Sequence, residues 1–345
     1  IPYSLASNCC AIGRGRRLRP IAQQLLAKEY GIESAQLKQI AEASNTIFRV
    51  SLDGANDYVL RMTAPKSCHG ADEIRSEVAW LHAIDECTDI GVPSPVARLD
   101  GETVSEVPLP GEDASICCAV YRWVPGVMLD DRLTEDNVRR LGILMARLHE
   151  HAAGFAPPDG FRVRTYDSVF PYSAEGFAGL EPIVLFDEDA QAPLSSDQRE
   201  VYRDAYQLVA QEVDDLMRRE APLRVIHNDL HSWNVKVDGD KLYALDFEDM
   251  MWGHPIQDIA TTMYYFRWVD TYETMLAAFR AGYESVHIWP EDHEGQLETL
   301  MIGRLLLLAN YIAVSEDSED RAFAPQFLER AEGRLRATLA TMKER

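Results

Sequence analysis

Apolar and polar residues alternate with period two over residues 45–52 (NTIFRVSL) and 58–62 (YVLRM), and Asp53-Gly54 between them predicts the turn of a hairpin. The pattern then changes. Ile74, Val78, Leu81 and Ile84 fall on one helical face, predicting a helix over 73–84. Three more β-rich runs follow at 96–99, 102–107 and 116–124. Ahead of these, 21–30 reads as a helix, and 1–15 as a poorly ordered leader with a small basic patch. Residues 38–124 are therefore expected to form a strand-rich unit with one inserted helix.

Pro125-Gly126 breaks this pattern, and helical periodicity dominates from Thr134 onward. Helices are expected over 141–151, 196–219, 255–268, 271–283, 294–314 and 322–343, with Ser195 or Ser196 capping the second. The stretch 155–193 is irregular and long enough to suggest a functional loop. One β signal interrupts the helices. Val235-Lys236-Val237 and Leu242-Tyr243-Ala244-Leu245 flank Asp238-Gly239-Asp240, an antiparallel hairpin. The expected fold class is α+β, with a small β-rich N-terminal lobe (1–124) and a larger helical C-terminal lobe (125–345).

Composition narrows the function classes. At 345 residues the chain can bury a sizeable core. A formal charge of −22 argues against nucleic-acid binding, because a polyanion would be repelled over most of the surface. The six cysteines show no C-x-x-C spacing, and adjacent pairs such as Cys117-Cys118 are poor disulfide partners, which suits a reducing cytoplasm. The longest apolar run, around 305–308, reads as part of an amphipathic helix rather than a membrane span.

The hairpin carries the chemistry. His227-Asn228-Asp229 precedes it, Asn234 follows at D-x-x-x-x-N spacing, and Asp246 stands at the end of its second strand. Antiparallel pairing brings these ends together, giving two oxygen ligands for Mg²⁺ and one free carboxylate that can accept a hydroxyl proton. Asp229 is the candidate base, and Asn234 and Asp246 are the candidate metal ligands. Each could separately be a turn or cap residue; their joint spacing favours metal–phosphate chemistry. His227 is expected to orient the loop rather than act as base. Asn228 tolerates the left-handed backbone that a sharp loop needs.

HNDLHSWN, ALDFED and GHPIQDIA together resemble the aminoglycoside phosphotransferase and choline kinase-like family, from about residue 37 to the C-terminal helices. The resemblance implies a bilobal protein-kinase-like fold with ATP and Mg²⁺ as cofactors. It places Ser44, Asn45 and Thr46 at the turn over the ATP phosphates. Arg61 stands where the family has its phosphate-binding Lys, and Glu77 where it has the partner of that cation. Val120, Tyr121, Arg122 and Trp123 fall at the interlobe hinge, and Asp258 matches a residue that braces the catalytic loop. Two departures stand out: Asn228 replaces a Gly, and Arg61 offers a bidentate fork where the family has a point charge.

Acidic and aromatic residues after the hairpin, namely Glu248, Asp249, Trp252, Tyr264, Tyr265 and Trp268, are candidates for acceptor binding, although the helical spacing of Tyr264, Tyr265 and Trp268 slightly favours core packing. The expectation is an ATP-dependent phosphotransferase acting on a small hydroxyl-bearing molecule, aminoglycoside-, amino-alcohol- or sugar-like. It would be cytoplasmic, with no nucleic-acid or membrane partner, and either monomeric or homodimeric. A protein Ser/Thr kinase is disfavoured by the lack of a Gly-rich loop and of an A-P-E-like segment. A non-catalytic pseudokinase module is disfavoured by the presence of all three polar positions.

Overall fold

The computed structural model of the chain describes residues 11–42, 45–52, 58–65, 67, 69–177, 179–187, 194–267, 269–315 and 317–344. The expected Asp53-Gly54 turn, Ser44 and Trp268 lie outside the described residues, as does most of the leader.

Five antiparallel strands form the N-terminal sheet, in the order β1-β2-β3-β5-β4: β1 (Gln36–Glu42), β2 (Asn45–Ser51), β3 (Tyr58–Thr63), β4 (Val104–Pro108) and β5 (Ser115–Arg122). Alternation sorts their side chains onto two faces. Phe48, Val50, Leu60, Met62, Cys118 and Val120 point one way and form a core with Leu18, Ala22, Leu25 and Leu26 of α1 (Ala11–Tyr30). Arg61 points the other way, toward α2 (Ala71–Cys87) and the C-terminal half.

Sequence and structure differ at four places here. Helix α1 starts by Ala11 and runs through Pro20, because its apolar face packs on the sheet on both sides of the proline and outweighs one missing N–H bond. Strand β1 has no clear alternation in QLKQIAE and was not anticipated; pairing with β2 makes it a strand. Residues 96–99 join no sheet, since Pro93 and Pro95 remove donors. Only single links remain, such as Val96 N–H to Val120 C=O at 2.8 Å. Finally, α7 (Gln296–Val314) is not amphipathic. It is long and apolar enough to cross a membrane by length and composition, yet 78% of that window is buried inside the fold, which makes it the central core helix of the C-terminal half.

The other helices of that half are α3 (Glu135–Gly154), α4 (Ser196–Met217), α5 (Pro255–Phe266), α6 (Tyr272–Glu284) and α8 (Ser318–Glu344). The acidic 315–320 stretch is partly the first turn of α8. Ser195 caps α4 through a capping box with Gln198. Between the helices lie β6 (Val127–Met128), β7 (Arg224–Ile226), β8 (Val235–Asp238), β9 (Lys241–Ala244) and β10 (Met251–Gly253). Strands β8 and β9 form the expected hairpin, with Val235 opposite Ala244, and β7 pairs with β10. The loops 227–234 and 245–250 are thus each held at both ends by paired strands and face one another.

Helices α3 and α6 touch backbone to backbone. A Cβ at Gly142 would sit 2.0 Å from the Phe279 carbonyl oxygen, and one at Gly282 would sit 1.9 Å from that of Arg139. Only glycine permits this approach, which carries His149 on α3 to Tyr283 on α6. Gly282→Ala is expected to destabilise the protein by about 1–3 kcal/mol through overpacking, read as a lower denaturant midpoint with an unchanged slope.

Candidate active site

The loop 227–234 is anchored from below. The Asp258 carboxylate, on the first turn of α5, accepts the backbone N–H of His227 at 2.9 Å and of Asn228 at 2.8 Å. It also bonds His149 Nε2 at 3.0 Å, and His149 Nδ1 meets the Tyr283 hydroxyl at 2.9 Å. Burial alone would raise the Asp258 pKa, but His149 and the two amides hold it below the usual carboxylate range. Asn228 has φ 63°, the left-handed geometry expected of it. His227 accepts the Asp229 N–H on Nδ1 at 3.3 Å and donates from Nε2 to the Leu245 carbonyl at 2.9 Å. That tautomer is neutral, and burial pushes its pKa down. His227 thus ties the two facing loops, as an orienting residue would.

Asp229 is held on both oxygens. Asn234 Nδ2 donates to Oδ2 at 2.9 Å and to the Asp229 carbonyl at 2.9 Å, and His231 Nε2 lies 3.3 Å from Oδ2. Arg304 of α7 donates from Nη2 to Oδ1 and, at 2.8 Å, to the Tyr265 hydroxyl. With its amide hydrogens directed at Asp229, Asn234 keeps its side-chain oxygen for another partner. The Leu245 N–H bond to the Asn234 carbonyl, 2.8 Å, sets Asp246 beside it.

Asp246 also has a left-handed backbone, φ 60°. Its carboxyl is exposed on the cleft, where the surrounding protein and the nearby carboxylates raise its pKa above the usual range. Glu248 adds to the rise and Arg61 opposes it. Among the described residues no hydrogen bond or ion pair satisfies it. A cleft-facing carboxylate without a protein donor, next to a free amide oxygen, fits a hard divalent cation that would take its remaining ligands from phosphate and water. No cluster of three or more His, Cys, Asp or Glu ligands occurs among the described residues, so a dedicated all-protein cage is absent from them.

Across the cleft, Arg61 and Glu77 form a buried bidentate ion pair, with Nη1 to Oε1 at 2.9 Å and Nη2 to Oε2. Asn45 Nδ2 donates to Glu248 Oε2, linking β2 to the loop after β9. Two cavities meet here. The larger, about 350 Å³, is lined by Asn45, Arg61, Glu77, Tyr121, Asp246 and Glu248, among others. Arg122 and Trp123 also border it. The smaller, about 220 Å³, is lined by His69, Tyr172, Asp229, Asp249, Tyr265 and Arg304, together with Glu181 and Glu248. Glu248 belongs to both.

Not every expected residue reaches a cavity. Thr46 and Val120 share the strand parity of Phe48 and Leu60, so they turn into the N-terminal core. Trp252 lies in β10, where it hydrogen-bonds the Arg164 carbonyl at 2.8 Å and packs its ring 5.9 Å from Phe161. Tyr264 is buried on α5 against Tyr265, whereas Tyr265 itself lines the smaller cavity. His69, Tyr172, Glu181 and Arg304 were not anticipated. The first three sit in segments without a motif. Arg304 did carry a signal, as a lone cation inside the apolar run of α7.

Asp249 illustrates the polarity of this cavity. Burial disfavours its charge, but His69 at 3.5 Å and the Tyr172 hydroxyl more than offset this and hold its pKa well below normal. Glu181 lacks such company; burial raises its pKa, and one amide bond from Asn310 at 2.7 Å only partly opposes this.

The phosphotransferase enzyme family matches residues 36–294, more than half of the chain, and the chain belongs to that family. It is 26% identical to the amicoumacin kinase of Bacillus subtilis (strain 168) over 254 residues, 71% of this chain and 68% of that protein. Its fold is similar to that of a microcompartment-associated aminopropanol kinase (TM-score 0.79, 23% identity, 94% of this chain and 98% of that one). It is also similar to an amicoumacin kinase in complex with AMP-PNP, Ca²⁺ and Ami (TM-score 0.74, 18% identity, 93% and 95% of the two chains). The protein is therefore a phosphotransferase with a protein-kinase-like fold.

The brace beneath the loop generates a prediction. Because the Asp258 pKa is depressed on folding, its stabilisation is present above the unfolded carboxylate pKa of about 3.9 and is lost as pH falls through the lower folded value. Asp258→Asn should cost about 3 kcal/mol at pH 7. Its deficit relative to the wild type should shrink below about pH 4 in denaturant titrations.

Proposed function

We propose that the larger cavity holds ATP and the smaller holds the acceptor, with Asp229 positioned between them to receive the acceptor's hydroxyl proton. The observation that carries this reading is that two cavities share Glu248, with the metal-type carboxylate of Asp246 in one and the buttressed carboxylate of Asp229 in the other. The acceptor oxygen bonds to the γ-phosphorus, the bond from that phosphorus to the β–γ bridging oxygen breaks, ADP leaves, and the hydroxyl proton passes to Asp229. Asn234 and Asp246 would hold Mg²⁺, which supplies charge neutralisation to the phosphates when bound.

The remaining roles follow from position. Arg61, fixed by Glu77, presents its charge to the phosphates, and Asn45 stands over them with Glu248. Tyr121, Arg122 and Trp123 border the base end of the cleft, where backbone groups can read adenine. Since the transition state is loose, catalysis depends mainly on positioning and charge compensation. The acceptor cavity is rich in carboxylates and aromatic rings, which favours an amine-bearing acceptor. Aminopropanol and amicoumacin kinases, named for such compounds, are consistent with that class. The free thiols of Cys87, Cys117 and Cys118 suit a reducing cytoplasm, and the charge of −22 disfavours nucleic acid as a partner. From β9 the chain reaches β10 within a short loop, which leaves little room for a peptide-docking segment.

Asp229→Ala is expected to lower kcat by about 10²–10⁴-fold while leaving the affinity for Mg-ATP nearly unchanged. Near-normal ADP release by that variant would remove Asp229 from the role of base. Asp246→Ala should instead weaken Mg-ATP binding by about tenfold or more, measured by calorimetry with and without EDTA. Equal affinities would contradict its metal role.

A further inference from the structure

Arg304 is 5% exposed, and it uses only one of its three nitrogens. Nη2 serves both Asp229 and Tyr265. Buried Nε has no partner, and none is found for Nη1 among the described residues. Withdrawing guanidinium N–H groups from water without acceptors is unfavourable, so this surface of the cavity is suited to incoming oxygen atoms.

Glu181 is the complementary case. Asn310 bonds its Oε1, while Oε2 has no partner among the described residues. The other cavity acids are already engaged: Asp229 by Arg304 and Asn234, Glu248 by Asn45, and Asp249 by Tyr172 and His69. Unused binding capacity therefore lies at two poles of opposite sign. Asn310, which holds Glu181, follows Arg304 by six residues on α7, and Arg304 and Glu181 line the same cavity. An α-amino acid carries both complementary charges in one small molecule, which suits a cavity of about 220 Å³.

We propose that the acceptor is a small hydroxylated zwitterion, an α-amino acid with a side-chain hydroxyl. Its carboxylate rests on Arg304, its ammonium on Glu181, and its hydroxyl on Asp229. The proposal rests on the smaller cavity being the acceptor site. It sharpens the amine-bearing class by requiring an anionic group as well.

Three chain lengths test it, with Mg-ATP and the full chain. Serine, homoserine and 5-hydroxynorvaline are each compared in an ADP-release assay with the amino alcohol lacking the carboxylate and the hydroxy acid lacking the amine. At one length or more, the amino acid should exceed both analogues at least tenfold in kcat/KM. Arg304→Gln should bring the ratio over the amino alcohol close to one, and Glu181→Gln should do the same for the ratio over the hydroxy acid. Where a variant's turnover is too low to measure, calorimetric affinities for the same acceptors, taken with Mg-ADP bound, should show the same changes in ratio. Amino alcohols matching or exceeding amino acids at every length would overturn the zwitterion while leaving the kinase reading intact. Turnover of no acceptor together with no Mg-ATP binding would overturn both.

Discussion

One carboxylate, that of Asp258, holds the active loop in shape. It receives two consecutive backbone N–H groups, an arrangement that fixes the peptide plane between His227 and Asn228 and imposes the left-handed turn at Asn228. Its charge is itself maintained through His149 and Tyr283, which meet only because α3 and α6 approach backbone to backbone. The chain of cause runs from two glycines, through a helix pair, to a buried ion, and from there to the position of Asp229. Residues remote from Asp229 thus fix where its carboxylate stands.

Above this brace, the cleft is governed by an excess of negative charge. Asp229, Asp246, Glu248 and Asp249 crowd one region, and Arg61 and Arg304 face them from opposite sides. The cations are not equivalent. Arg61 is committed to Glu77 by a two-point bond, so its charge is delivered from a fixed direction. Arg304 is held at a single nitrogen and keeps donors in reserve. The unsatisfied Asp246 is the natural counterpart of a divalent cation, which would relieve the repulsion that its neighbours create.

Much of this was legible in the chain. D-x-x-x-x-N, the Asp-Gly hairpin and Asp246 at its exit defined the phosphate end, because catalytic-loop spacing is a local property of sequence. The left-handed Asn228 was equally readable from residue type. The cation pair across the cleft came from resemblance, and its geometry agrees, with Arg61 and Glu77 in bidentate contact. The acceptor cavity was far less legible. It is assembled from six separate segments, and its residues, such as His69, Glu181 and Arg304, are brought together only by tertiary packing. Trp252 and Tyr264 looked suitable by type but were claimed by a strand pair and by the core. Strand parity decided Thr46 and Val120, which a motif cannot reveal unless the register is known.

The Asn45–Glu248 hydrogen bond joins residues 203 positions apart and spans the two halves of the molecule. Both residues line the larger cavity, so this bond ties the two halves together across it. On the proposed reading, nucleotide entering or leaving the larger cavity would separate this pair. The contact that would hold a phosphate cover in place would then also slow the departure of spent nucleotide. The turnover rate in such an arrangement is a compromise between grip and escape.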